Sequence, residues 1–226
     1  MSLRNTHNLD RNNYIYNLYK NEESQALQAV KQSIFDNNLR SINLNFNEAK
    51  ILKFLIKLNK IERIVEFGTL AGYSAISMAE VISDKGKIFT FEIDEKVAEI
   101  AKQNIKNANL QNKISIIIGD AHKNLAEKNL LEDFYSKPID MVFIDAEKQG
   151  YPEYLEWAYQ NVRSGGLIIA DNTFLFNAVF DAEEAKKQNP KILNAMLEFN
   201  KNFADKEKFE SVILPTDDGL SIAIKK

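Results

Sequence analysis

The 226-residue chain has no cysteine. That removes disulfides, thiolate nucleophiles and cysteine zinc sites, and it fits a reducing compartment. Nowhere do 18 apolar residues run together, and the N-terminus lacks an apolar core of signal-peptide length, so a soluble, cytoplasmic protein with no membrane partner is expected. The four prolines are scattered, and neither a repeat nor a low-complexity linker interrupts the chain. Excess positive charge is missing too. With 29 basic and 32 acidic residues the net charge is −3, so no global cationic field recruits nucleic acid, although a local patch would suffice. Of the two histidines, His7 sits in a polar terminus and His122 at an expected helix start, where surface or capping roles are the ordinary ones.

What is present is the material of a core: 45% hydrophobic and 10% aromatic residues, enough for one substantial domain or two small ones. Residues 1–46 read as a helical arm, with apolar residues at helical spacing from Asn12 to Phe35. Residues 47–226 read as the main domain. Ala49, Leu52, Leu55, Ile56 and Leu58 place one apolar stripe on a helix from Asn47 to Leu58. An alternation follows. Short β-like runs at Ile61–Phe67, Lys87–Phe91, Ile114–Ile118, Ile139–Ile144 and Leu167–Ala170 are separated by helical stretches at Gly72–Ile82, Asp94–Ala108, Ala121–Phe134 and Tyr151–Val162, with helical spacing again from Ala182 to Phe203. This is the pattern of a parallel sheet covered on both faces. Glu210–Leu214, a Pro-Thr-Asp-Asp-Gly turn and Leu220–Ile224 close the chain as a hairpin. Right-handed crossovers put the loops after the parallel strands on one edge, where open α/β sheets bind ligands.

The strand ends carry the chemistry. Gly68 and Gly72 bracket the first turn, Glu66-Phe67-Gly68-Thr69-Leu70-Ala71-Gly72-Tyr73-Ser74. It is either an ordinary βα turn or one where a missing Cβ lets a ligand approach. Because Leu70 and Ala71 break G-x-G-x-x-G, a pyrophosphate cradle fits poorly. Glu92 ends the second strand, as a solvated strand end or an acceptor for ribose hydroxyls. Asp120 ends the third, where it can cap a helix or reach an adenine amino group. The fourth, "MVFIDAEK", runs from core into Asp145 and Lys148, and the fifth ends in Asp171-Asn172. If those two strands are neighbours their ends lie roughly 5 Å apart. Two carboxylates and an amide would then converge, and a divalent cation would relieve the repulsion. All-oxygen donors suit Mg²⁺, Mn²⁺ or Ca²⁺. The alternative is that Asp171 caps a following helix and Asn172 shapes the turn.

Glu66-x-Gly68-Thr69-x-x-Gly72-Tyr73-Ser74, Phe143-Ile144-Asp145-Ala146-x-Lys148, Gly165-Gly166-Leu167, Ala170-Asp171-Asn172 and Asp218-Gly219-Leu220 together resemble the cation-dependent class I O-methyltransferases, the group of the caffeoyl-CoA and catechol enzymes. Roughly residues 47–226 carry the resemblance, which is strongest to small bacterial members. It implies a Rossmann-like, mostly parallel sheet ending in an antiparallel β-hairpin, preceded by N-terminal helices. It also implies S-adenosylmethionine at the first three strand ends. There Glu66, Gly68, Thr69, Gly72 and Ser74 would serve the methionine portion, Glu92 the ribose, and Asp120 and Ala121 the adenine. Asp145, Asp171 and Asn172 match the cation ligands, with Asp145 also facing the cofactor and the chemistry, and Lys148 matches the general base. Glu147 stands where Asp is common, and Leu70-Ala71 replace the usual pair.

The implied reaction is in-line methyl transfer to a hydroxyl of a small catechol-like or other hydroxylated aromatic, with no covalent enzyme intermediate. A cation supplies Lewis acidity and a template for an acceptor whose phenol otherwise has a pKa near 10. One alternative acceptor is a tRNA 5-hydroxyuridine, kept open by a basic stripe of Lys50, Lys53, Lys57 and Lys60. A second, an NAD-dependent oxidoreductase, suffers from the missing glycine fingerprint. Trp157 with Tyr154, Leu155 and Ala158 is expected to pack a helix face. Phe174 and Phe176 either line an acceptor pocket or anchor a loop. A homodimer is expected, with the arm packing across the two-fold or covering the acceptor.

Overall fold

The structure is a computed structural model that describes residues 3–40, 44–126 and 137–226. Seven strands form one sheet: β1 (Arg63–Phe67), β2 (Lys87–Glu92), β3 (Ile114–Ile118), β4 (Ile139–Ile144), β5 (Val162–Ala170), β6 (Phe209–Leu214) and β7 (Leu220–Lys225). Their order is β3-β2-β1-β4-β5-β7-β6. The first five are parallel, and β7 pairs antiparallel with both β5 and β6. The expected hairpin therefore closes the sheet. The order in which parallel strands are laid down reverses between β1 and β4, which makes the carboxyl ends of those strands the expected crevice.

Period-two alternation divides each central strand between two cores. Ile64, Met141 and Phe143 face one side, with α2 (Gln25–Asp36), α3 (Phe46–Asn59), α4 (Tyr73–Ala79) and α5 (Glu95–Asn107). Val65, Val142 and Ile144 face the other, against α7 (Tyr151–Asn161) and α9 (Pro190–Phe203). Each such apolar side chain, fully buried, contributes about 1.5–3 kcal/mol. Tyr154, Leu155 and Ala158 are buried on α7 as expected, and Trp157 meets Phe67 edge-on at 5.5 Å.

Side-chain caps explain where several helices begin. Ser24, Asn45, Asp94 and Asn189 each accept a backbone N–H of the first turn of α2, α3, α5 and α9, a contribution of about 1 kcal/mol each. The Asn189 cap and Pro190 at the first helical position also split the expected 182–203 helix into α8 (Ala182–Ala185) and α9, since proline starts a helix but cannot sit inside one. Two other boundaries differ clearly, and a third is seen only in part. The α7 helix stops at Asn161 and β5 begins at Val162, which pairs with Ile139 before a register shift, so β5 is longer than the Leu167–Ala170 run. The helix after Gly72 stops at Ala79. Of the Ala121–Phe134 helix, α6 (Ala121–Ala126) is seen, and the remainder lies outside the described residues.

The arm consists of α1 (Leu3–Tyr19) and α2. A buried polar knot fastens α2 to α4. Tyr73 Oη donates to Glu23 at 2.6 Å, Lys31 pairs with Glu23 at 2.5 Å, and Ser24 donates to Glu80, which Lys53 also meets at 2.6 Å. Asn12 of α1 and the cap Asn45 both donate to Asp217 in the β6–β7 turn. Among the described residues no helix is long and apolar enough to cross a membrane.

Candidate active site

A cavity of about 960 Å³ opens at the carboxyl edge of β1–β5. Its lining includes Gly68, Thr69, Ser74, Glu92, Asp120 and Ala121 from the first three strand ends. From the fourth and fifth come Asp145, Lys148, Asp171 and Asn172. The strand-end residues singled out in the sequence thus meet in one cleft, except that Glu66 and Gly72 sit behind its lining.

At the donor end the glycine turn is built by the protein itself. A Cβ on Gly68 would collide with the Asp145 carbonyl oxygen, so the missing side chain lets β4, rather than a ligand, approach the backbone. Gly72, at φ +88°, and Leu70, at φ +46°, are both left-handed. The latter conformation costs a non-glycine residue about 1–2 kcal/mol. Leu70 is held in it by its N–H donating to Glu92 Oε2 at 2.9 Å, while Glu92 Oε1 accepts from Asp94 N–H at 3.0 Å. Glu66 is fully buried. Thr90 Oγ1 donates to its Oε2 at 2.6 Å, and Oε1 has no hydrogen-bond partner among the described residues. Burial pushes its pKa up to about 8, against the opposing effect of the Ser74 and Thr90 hydroxyls.

At the acceptor end β4 and β5 are neighbours, as the reading required. Ile144 pairs with Ala170, and Asp171 N–H donates to Ile144 O at 3.0 Å. Asp171 is 3% exposed. Burial first, then the charges of Asp145 and Glu48, drive its carboxyl well above the usual range. Asn172 N–H donates to Asp171 Oδ1 at 2.8 Å. Turns rather than an α-helix follow, up to residue 180, so there is no helix for Asp171 to cap. Asn172 itself is left-handed at φ +54°, a conformation that asparagine tolerates. Lys148 Nζ donates to Tyr151 Oη at 2.5 Å and lies 3.3 Å from Asp145 Oδ1, and Tyr151 donates to the Asp171 carbonyl at 2.9 Å. Phe176 lines the cavity while Phe174 packs on Phe180 and under Gly219, so the pair divides between pocket and anchor. Among the described residues no trio of His, Cys, Asp or Glu stands at metal-ligand spacing. The converging set is two carboxylates completed by an amide.

Two contributors, Tyr151 and Glu48, were invisible as motifs, and a third, Asp218, was quoted only within the resemblance and given no role. Tyr151 opens α7, Glu48 lines the cavity from α3, and Asp218 enters from the β6–β7 turn with Oδ1 accepting Phe176 N–H at 2.6 Å and Oδ2 open. Burial raises Glu48 to about 7 and Asp218 to about 6. Only Glu48 had a local signal, three residues after an Asn at a helix start. The lysine stripe is partly neutralised, since Lys50 meets Glu22 at 2.5 Å and Lys53 meets Glu80. The side chains of His7 and His122 lie outside the described structure.

The strand order, the terminal antiparallel hairpin and the cleft at this edge are those of class I methyltransferases. The chain belongs to the O-methyltransferase family, whose model matches residues 18–226. It is 37% identical over 206 residues to a catechol O-methyltransferase of Niastella koreensis, covering 90% of this chain and 91% of that one. An O-methyltransferase from Bacillus cereus, solved in complex with SAH, superposes with a TM-score of 0.80 at 31% identity over 90% of this chain and 92% of that one. TomG from Streptomyces achromogenes, an O-methyltransferase solved with SAM, gives 0.79 at 27% identity over 90% and 91%.

Proposed function

We propose that the protein moves the methyl group of S-adenosylmethionine to a hydroxyl of a small catechol-like or other hydroxylated aromatic, with a divalent cation bound at the ends of β4 and β5. The observation that carries this reading is the convergence of Asp145 and Asp171 on adjacent strands, with Asn172 next in line. An acidic pair with one member, Asp171, buried is unstable without a cation or a proton, and its oxygen donors fit Mg²⁺, Mn²⁺ or Ca²⁺. Held by Asp145, Asp171 and Asn172, the cation would supply Lewis acidity and a template for the acceptor hydroxyl.

The chain's own groups do the rest. Glu92 holds the glycine turn in place through Leu70, and its oxygens keep lone pairs for ribose hydroxyls. Glu66, buried behind the lining, supports that turn through Thr90, whose hydroxyl also bonds the Thr69 hydroxyl. Asp120 and Ala121 flank the adenine end of the same cleft. Lys148, as free amine, receives the acceptor's proton at Nζ. Tyr151 and Asp145 fix that atom at the mouth of β4, a proximity effect on which general-base catalysis depends. Labelled S-adenosylmethionine offered with catechol or with bulk tRNA, each with Mg²⁺ or Mn²⁺, tests the proposal. Label transferred to catechol supports it, and label entering tRNA alone overturns it.

A further inference from the structure

One acid at the acceptor end belongs to neither the donor set nor the cation set. Glu48 is the third residue of α3, 3% exposed, and lines the cavity. Its N–H donates to the cap Asn45 at 2.9 Å. In this arrangement a Glu turns one carboxylate oxygen back to the cap's backbone N–H, which Asn45 supplies here. That accounts for one oxygen. The other, Oε1, makes no well-formed hydrogen bond among the described residues, although the Thr216 hydroxyl lies close enough to favour its ionised form. A buried acceptor left open is destabilising until a donor meets it.

The surroundings deepen the need for a donor. Asp145, Asp171 and Asp217 all act on Glu48 with like charge, and Asp218 presents a second open oxygen, Oδ2. Among the described residues lining this end, the positive groups are Lys148, engaged by Tyr151 and Asp145, and Arg40, exposed at the mouth. With the five acids ionised, even a bound dication leaves this end without net positive charge. An anionic group brought beside Glu48 would meet like charge, which disfavours it.

We propose that Glu48 determines acceptor specificity. Its open Oε1 accepts a hydrogen bond from a donor carried by the methyl acceptor, a protonated amine or a further hydroxyl. Neutral and cationic hydroxylated aromatics are therefore preferred over carboxylated or phosphorylated ones, acyl-CoA esters included. This rests on the function proposed above only in seating the acceptor at this end of the cleft.

Dopamine and 3,4-dihydroxyphenylacetate share ring and chain and differ in the charged end. Calorimetric titration of each into the protein with S-adenosylhomocysteine and Mg²⁺ present reads the preference directly. The wild type is expected to bind dopamine at least roughly tenfold tighter. Glu48→Gln, which keeps the size and the cap contact, is expected to bring the two within about threefold. Equal or inverted affinities in the wild type overturn the assignment, and they decide it alone should the variant fail to fold. A ratio unmoved in a folded E48Q protein overturns it as well, and so does loss of Mg²⁺ binding, which would place Glu48 among the cation ligands. Tight dopamine binding without methyl transfer would refute the proposed function and leave this assignment standing.

Discussion

Glu92 and Asp171 both end strands of the same sheet and line the same cleft, but their carboxylates are treated differently. Glu92 has both oxygens engaged by backbone N–H groups, from Leu70 and Asp94. Asp171 is buried, accepts one N–H from Asn172, and faces the charges of Asp145 and Glu48. Charge at the donor end is thus largely satisfied by the fold itself. At the acceptor end it is concentrated and left to whatever binds. The difference separates two tasks: one half of the cleft is preassembled, while the other stores an electrostatic need that a cation and an acceptor meet.

Substitutions on the two sides should therefore fail in different ways. Asp171→Ala is expected to lower turnover by about a thousandfold or more while S-adenosylmethionine affinity stays within about threefold, as read by labelled transfer and calorimetry. Weak donor binding in that variant would erase the distinction between the halves. Lys148→Ala should lose roughly a hundredfold in turnover and keep its Mg²⁺ affinity. Tyr151→Phe, which removes the phenol oxygen that holds Lys148, should lose about tenfold. Wild-type rates across the pH range in K148A would remove Lys148 from the chemistry. Glu92→Ala should show the opposite signature, with donor affinity down about tenfold or more and Mg²⁺ binding intact.

Glu66 is the exception on the donor side, and it gives the smallest effect. Its folded pKa is raised from 4.5 to about 8, so between those values the folded protein holds a proton that the unfolded chain releases. Stability of the ligand-free protein therefore falls as pH rises from about 5 to 8. Glu66→Gln should flatten that slope in melting temperature. An unchanged slope would show that Glu66 ionises freely.

The fold was legible because its signals are local. Five Val-, Ile- and Phe-rich runs separated by helical spacing define a covered parallel sheet, and the family resemblance drawn from the Glu66–Ser74, Asp145–Lys148 and Asp171-Asn172 motifs agrees with the match over residues 18–226. The strand ends entered one cleft because parallel topology leaves them no other edge. Roles that depend on tertiary packing were not legible. Glu48 reads as a capping residue, and Asp218, quoted within the resemblance, as part of a turn until α3 and the hairpin fold over the same cavity, while Tyr151 acts there only through Lys148. The Gly68 turn stayed open between two readings for a related reason: its missing Cβ accommodates the Asp145 carbonyl, a contact made 77 residues away in sequence. The 182–203 helix divided because Asn189-Pro190 restarts it, a boundary signal present in the sequence but outweighed by periodicity.

Turnover of the chelator-stripped protein, with catechol and S-adenosylmethionine supplied, addresses the cation at β4 and β5 most directly. Activity should vanish without added metal and return with Mg²⁺ or Mn²⁺ in the wild type but not in D171A. Full activity in the presence of EDTA would contradict the account.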